Sequence, residues 1–100
     1  MSAGPRVRVE VTIPSILRDC VGPGGRTRFA IDGVETLAQV LRAVQQQYPL
    51  LRAHVWDDAG KLRPHVLIFH NDQGVKWMTS LDVPLREGDR IQIVQAVSGG

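Results

Sequence analysis

The chain has 100 residues, of which 43% are hydrophobic and 22% are charged. A chain of this length forms one domain and buries roughly two thirds of the surface that its unfolded form exposes, so its core needs no disulfide or metal. Twelve basic side chains against ten acidic ones leave a formal net charge of +2. Because this small excess forms no concentrated basic run, we expect no nucleic-acid partner.

Cysteine content and apolar runs restrict the class of protein further. The single cysteine, Cys20, excludes an intramolecular disulfide and any zinc or iron–sulfur site built from several cysteines. The longest strongly apolar run, residues 66–69, is far shorter than the roughly 20 residues that span a bilayer. Residues 1–6 lack the apolar stretch of a signal peptide. We therefore expect a cytoplasmic protein with no membrane partner.

Two segments near the amino end alternate between apolar and polar side chains. Residues 6–13 place four β-branched side chains on one face, and residues 26–31 alternate in the same way. A period of two predicts a strand with one buried face. The link between them, residues 15–21, shows no clear period, and we expect Ile16 and Leu17 to be its buried members.

A helix is predicted after the second strand. Thr36 can cap its first turn, and Gln39 stands three residues later in a capping-box arrangement. One apolar stripe follows at helical spacing, formed by Leu37, Val40, Leu41, Val44 and Tyr48. Pro49 ends this helix, because the residue before a proline is disfavoured in the helical region. Residues 50–56 are ambiguous and are compatible with an irregular turn of helix.

Three further strands are predicted in the carboxyl half. Residues 61–70 contain an apolar run that predicts a strand buried on both faces. Residues 75–77 predict a short strand, and residues 90–97 predict the last one. Turns separate these elements at residues 57–60, 71–74 and 86–89. The order strand, strand, helix, strand, short strand, strand indicates an α+β fold, with a mixed sheet and one main helix packed on one face.

The chain contains three histidines, at His54, His65 and His70. They show neither a helical i, i+4 pairing nor a partnering cysteine, so we expect no metal site. We expect His70 to face water at the end of its strand. The alternative is a role in acid–base chemistry beside Asn71 and Asp72.

Three other side chains have both a structural and a functional interpretation. Cys20 has no neighbouring base in the sequence, so a small, partly buried hydrophobe is the simpler interpretation than a nucleophile. Trp56 and Trp77 either belong to a partner surface or pack on the sheet, and the sequence does not decide between these alternatives.

The last predicted strand runs directly into Val97-Ser98-Gly99-Gly100. One interpretation is a frayed terminus of small residues. The other is that the carboxylate of Gly100 is the reactive group. Glycine lacks a Cβ, so a diglycine segment is narrow enough to enter the active site of another enzyme. A free α-carboxylate is an anion at neutral pH and can attack the α-phosphate of ATP.

Several short segments carry a family pattern: Asn71-Asp72, residues 81–85, residues 87–89, residues 91–97 and Gly99-Gly100. This pattern resembles the ubiquitin-like sulfur carriers of the MoaD/ThiS family, and the resemblance covers roughly residues 7–100. Residues 12–18 and 60–62 are similar to one branch, which serves thiocarboxylate-dependent cysteine synthesis in mycobacteria. The chain departs from the family at two positions, with Gln95 in place of the usual proline and Ser98 in place of the usual alanine.

The resemblance implies a β-grasp domain over residues 1–97 and a flexible tail over residues 98–100. It implies a protein co-substrate and not an enzyme, with no cofactor and no catalytic side chain of its own. An E1-like enzyme would use ATP to adenylate the carboxylate of Gly100, and sulfide or an enzyme persulfide would displace AMP to leave a thiocarboxylate. The residues that would enter the active sites of the partners are Val97, Ser98 and Gly99.

The implied partners are proteins. Besides the E1-like enzyme they include a sulfur-accepting synthase, such as a pyridoxal-phosphate-dependent sulfhydrylase, and a metalloprotease that trims the tail. Two alternatives within the family are the small subunit of molybdopterin synthase and a ubiquitin-like modifier attached to lysines through Gly100. A third alternative is a simple interaction module, in which deletion of Gly99 and Gly100 would leave function intact.

Overall fold

The computed structural model describes residues 5–22, 24–75 and 80–95. Its strands are β1 (Val7–Thr12), β2 (Arg28–Val34), β3 (Val66–His70), β4 (Gln73–Gly74) and β5 (Arg90–Gln95). Its helices are a 3₁₀ helix (Ser15–Val21), α1 (Leu37–Gln47) and α2 (Pro49–Val55). None of these helices is both long and apolar enough to cross a membrane, within the part of the chain that the structure describes. The predicted α+β class is confirmed.

The five strands form one mixed sheet in the order β2-β1-β5-β3-β4. Strand β5 runs parallel to β1, with Thr12 opposite Gln92, and antiparallel to β3, with Val66 opposite Gln95. The last residues of β1 and β5 therefore lie at the same end of the sheet as the first residues of β2 and β3. We call this end, where β5 leaves the sheet, the exit end.

Strand β2 begins two residues later and ends three residues later than the alternation predicts. Its register with β1 pairs Val9 with Ile31 but Val7 with Val34, so β2 holds one extra residue at this point. Gly33 has a φ of 70°, a left-handed conformation that glycine adopts without a Cβ clash. The Asp32-Gly33 pair therefore forms a β-bulge inside the strand.

The predicted cap of α1 is present. The amide of Gln39 donates to Thr36 Oγ1 at 3.3 Å, and the amide of Glu35 donates to Gln39 Oε1 at 2.8 Å. The second bond reaches one residue further back than in the standard capping box. The predicted stripe is buried at Leu37, Val40, Leu41 and Val44. This stripe covers one face of the sheet.

Pro49 separates two helices. Helix α1 ends at Gln47, and Pro49 occupies the first turn of α2, where its missing amide hydrogen costs no helical bond. The ambiguous residues 50–56 are thus mostly helical. The Tyr48 ring, between the two helices, packs on Phe29 of β2 with ring centroids 4.5 Å apart. The carboxyl end of α1 and the start of α2 therefore lie over the exit end of the sheet.

The 3₁₀ helix corrects one expectation about the link between β1 and β2. Leu17 and Val21 are buried as the helix turns towards the core. Ile16 is 78% exposed, so the prediction that it is buried is wrong. A tight helix with three residues per turn directs neighbouring side chains away from one another, and here only one of the pair can face the core.

Strand β3 is shorter and less buried than its sequence predicts. Pro64 precedes it and cannot donate to a ladder, so the strand begins only at Val66. Val66 and Ile68 are buried, while Leu67 and Phe69 on the opposite face are only partly buried. The prediction of burial on both faces is therefore wrong, because α1 covers one face of the sheet. The short strand predicted at residues 75–77 is displaced, because β4 covers Gln73–Gly74, which the sequence assigns to the turn 71–74. Residues 76 and 77 lie outside the described residues.

Replacing Leu41 by alanine is expected to lower the free energy of unfolding by about 2 kcal/mol, near the lower limit for a buried leucine. Leu41 is 7% exposed at the edge of the buried stripe, so neighbouring side chains can partly close the resulting space. Urea unfolding followed by circular dichroism measures the change. A loss below about 1 kcal/mol would show that the Leu41 side chain does not pack in the core.

Candidate functional site

Strand β5 holds the chain in the middle of the sheet until Gln95. Ile91 is fully buried and Ile93 is 2% exposed. The strand pairs with β1 as far as Gln92 and with β3 as far as Gln95. The segment that follows Gln95 therefore starts from a strand end fixed by the sheet.

The residues predicted to carry the chemistry follow this strand. Val97, Ser98, Gly99 and Gly100 lie outside the described residues. The structure places Gln95, two positions before Val97, at the exit end of the sheet. It thus fixes the point from which a carboxyl-terminal tail would extend.

The surroundings of the exit end come from three elements. The 3₁₀ helix follows β1 and presents Ile16 to solvent. Pro64 and His65 precede β3 and are exposed. Helix α2 packs against the 3₁₀ helix. The exit end thus presents the exposed side chains of Ile16 and His65, and the start of α2 adds Leu50, which is 63% exposed.

The histidines do not come together. His54 is exposed on α2, His65 is exposed before β3, and His70 is buried at the end of β3. In residues 5–22, 24–75 and 80–95, no cluster of three His, Cys, Asp or Glu side chains could hold a metal ion.

Two of the ambiguous side chains belong to the core. Cys20 is half-buried and packs against the core cluster, which confirms its interpretation as a small hydrophobe. Trp56 is 5% exposed and belongs to the same cluster, so it packs inside the domain. Trp77 lies outside the described residues.

The expectation that His70 faces water is wrong. His70 is 9% exposed, and its Nε2–H donates to Asp89 Oδ2 at 2.9 Å. Alternation along β3 places His70 on the same buried face as Val66 and Ile68. His70 stands four positions after Val66 and two after Ile68. This even spacing is the sequence signal that could have predicted its burial.

His70 belongs to a polar network that joins the loop after β3 to the loop before β5. Asp89 Oδ2 also accepts from the Arg86 amide at 3.0 Å, and Asp89 Oδ1 accepts from Asn71 Nδ2 at 3.3 Å. Asn71 Oδ1 in turn accepts from the Arg90 amide at 3.0 Å. We call the side chains of His70, Asn71 and Asp89 the loop clamp. It connects the amino end of β5 to the carboxyl end of β3.

The loop clamp holds an ionised carboxylate in a mostly buried place. Burial alone would raise the pKa of Asp89, but the hydrogen bonds from His70, the Arg86 amide and Asn71 outweigh it and hold this pKa below its ordinary value of 3.8. Strand β5 separates the clamp from Gln95 by about 17 Å, at about 3.3 Å per residue. The clamp therefore positions the strand and lies far from the exit end.

Asn71 adopts a backbone conformation suited to this loop. Its φ of 56° is left-handed, which asparagine tolerates better than most residues. Asn71 and Asp89 both fall in segments of the family pattern, but the sequence alone gave them no role. Their function becomes visible only when the fold brings two loops 18 residues apart into contact.

Comparison with known proteins agrees with this architecture. The ThiS family model matches residues 11–100. The sulfur carrier protein CysO of Mycobacterium tuberculosis is 32% identical over 96 residues, which cover 94% of this chain and all of that protein. Small archaeal modifier protein 1 of Haloferax volcanii is 31% identical over 78 residues, which cover 77% of this chain and 85% of that protein.

A solved structure shows the same fold. The crystal structure of the Amycolatopsis orientalis BexX/CysO complex matches with a TM-score of 0.71 and 27% identity, over 92% of this chain and 99% of that chain. The mixed sheet, the helix across one face and the central last strand form the β-grasp fold that the resemblance predicts. The chain therefore belongs to the ThiS family of ubiquitin-like sulfur carriers.

Proposed function

We propose that this chain carries sulfur on the carboxylate of Gly100 and donates it in the biosynthesis of cysteine or another sulfur-containing metabolite. The position of β5 carries the proposal. This strand is paired in the middle of the sheet and ends at Gln95, five positions before Gly100. The similarity to the sulfur carrier protein CysO supports a sulfur carrier, and the resemblance of residues 12–18 and 60–62 to the cysteine-synthesis branch favours cysteine as the product.

The proposed chemistry needs no side chain of this chain. A carboxylate oxygen of Gly100 attacks the α-phosphorus of ATP, and pyrophosphate leaves. Sulfide then attacks the carbonyl carbon of the acyl adenylate, and AMP leaves with the oxygen that was bonded to phosphorus. The product is a thiocarboxylate, whose sulfur is the nucleophile in the next transfer. The chain is a co-substrate, and its partners supply the catalytic groups.

Two partners are required by this scheme. The first is an E1-like adenylating enzyme, and the second is a synthase that accepts the sulfur, for which we propose a pyridoxal-phosphate-dependent sulfhydrylase. Where a longer precursor is made, a metalloprotease would trim it to expose Gly100. Residues 98–100 form the tail in this proposal, and Val97 is the first residue to enter the partner. Because activation consumes ATP, we place the reaction in the cytoplasm.

Intact-mass spectrometry tests the proposal. The chain is incubated with the E1-like enzyme encoded in the same genome, ATP and sodium sulfide, and the expected product has one oxygen replaced by sulfur. Fragmentation should locate the change at Gly100. The reaction should fail without ATP and with a chain that lacks Gly99 and Gly100. Formation of the same product by the truncated chain would contradict the proposal.

A second candidate function is protein modification through Gly100. It is favoured by the similarity to small archaeal modifier protein 1. In that case cells would contain proteins with Gly100 joined to lysine side chains by isopeptide bonds, which proteolysis and mass spectrometry detect. The third role within the family, small subunit of molybdopterin synthase, predicts co-purification with a large synthase subunit instead of a sulfhydrylase.

A further inference from the structure

The exit end of the sheet combines two features that the proposed function has not used. The first is the short distance between Gln95 and Gly100. The second is Ile16, the most exposed of the large hydrophobic side chains in the described part of the chain, at 78%. Single exposed apolar residues are common on protein surfaces, so the exposure of Ile16 alone carries no conclusion. The inference rests instead on the position of Ile16 relative to the start of the tail.

The register of the sheet places Ile16 beside the point where β5 ends. Strands β1 and β5 are parallel, and Thr12 lies opposite Gln92. Three residues further along each chain, the same register brings Ser15 level with Gln95. The chain stays extended through Pro14, whose φ and ψ are −62° and 146°, before the 3₁₀ helix begins. Neighbouring strands lie about 4.8 Å apart, so Ile16 is on the order of 10 Å from Gln95.

The reach of the tail brings any enzyme that processes it close to this surface. Gly100 lies five positions after Gln95, and a fully extended chain of five residues spans about 17 Å. The atoms that react with the Gly100 carboxylate must therefore lie within this distance of the sheet. A standard interface covers about 800 Å² on each partner, which corresponds to a disc of about 16 Å radius. A disc centred on the strand end includes Ile16.

The backbone around Ile16 is also held in place. Its neighbour Leu17 and the last residue of the helix, Val21, are buried in the core. The helix packs against α2, and the Arg26 amide donates to the Arg18 carbonyl at 3.2 Å, which ties the helix to the segment before β2. The backbone that carries Ile16 is therefore already ordered, so a partner that binds there does not have to order it.

We propose that Ile16 is an anchor for the E1-like activating enzyme and inserts into an apolar depression beside the opening that admits the tail. This inference rests on the proposed function. Ile16 makes no contact with the reacting atoms and acts by binding. Its loss should therefore raise KM for the carrier and leave kcat unchanged.

The test uses the full chain and the same activating enzyme, with ATP-dependent thiocarboxylate formation as the readout. The substitution Ile16→Ser is expected to raise KM about tenfold, since it removes most of the apolar area available for burial at this position. The urea midpoint should not change, because Ile16 is already exposed in the free protein.

Leu81→Ser is the matched control. Leu81 is 36% exposed, and its carbonyl accepts from the Ala38 amide at the start of α1, at the opposite end of the sheet. This variant should keep the wild-type KM. An unchanged KM for Ile16→Ser, or an equal increase for both variants, would overturn the inference while the proposed function stands. Failure of the wild-type chain to form a thiocarboxylate would overturn both.

Discussion

Replacing Asp89 by alanine is expected to lower the free energy of unfolding by about 3 kcal/mol. The Asp89 carboxylate accepts hydrogen bonds from His70, Asn71 and the Arg86 amide. His70 is mostly buried, so its ring nitrogen loses its partner at a place that water reaches poorly. Urea unfolding at neutral pH measures the loss. A change below about 1 kcal/mol would show that the loop clamp contributes little to stability.

Asp89→Asn is the matched variant, because it keeps the size of the side chain and removes its charge. The folded pKa of Asp89 lies below 3.8, so its stabilisation is complete above that value and is lost as the pH falls through the folded pKa. The wild-type protein should therefore lose more stability than Asp89→Asn between neutral pH and a pH of about 2. Equal losses in the two proteins would contradict the lowered pKa.

The parts of the fold that the sequence predicts are those that depend on local periodicity. Alternation identifies β1, and the stripe from Leu37 to Val44 together with Thr36 identifies α1, because each pattern is complete within one element. The turn at residues 86–89 is local as well. Such features require no knowledge of which elements become neighbours.

The predictions that fail concern positions decided by tertiary contacts. The exposure of Ile16 depends on which side of a 3₁₀ helix meets the core. The burial of His70 depends on Asp89, which stands 19 residues away and comes close only because β3 and β5 pair. The extension of β2 past Gly33 depends on a bulge against β1. None of these partners is visible from the segment in which the residue lies.

The candidate site also combines a feature that is local in the sequence with features that depend on tertiary contacts. The diglycine end is a local feature and can be identified from the sequence, whereas the surface beside it requires the fold. The parallel pairing of β1 with β5 brings Ile16 to the start of the tail. The loop clamp fixes the other end of β5. One strand thus connects the buried loop clamp to the exit end, so the residues that stabilise the domain lie apart from the surface that we propose partners recognise.

Gly99→Val is expected to lower kcat for thiocarboxylate formation by on the order of 100-fold, because displacing a reacting group by about 1 Å has an effect of this size. A β-branched side chain widens the tail next to Gly100 and restricts its backbone angles. KM should change less, since the docking surface at Ile16 is untouched. Gly99→Ala should have an intermediate effect, because it adds a single Cβ.

Gln73→Val is the control for this experiment. Gln73 is exposed on β4, which pairs with the carboxyl end of β3 and so lies away from the exit end. The same type of side chain introduced there should leave kcat and KM unchanged. If Gly99→Val forms thiocarboxylate at the wild-type rate, the tail does not enter a narrow channel, and the diglycine end has some purpose other than access to an enclosed active site.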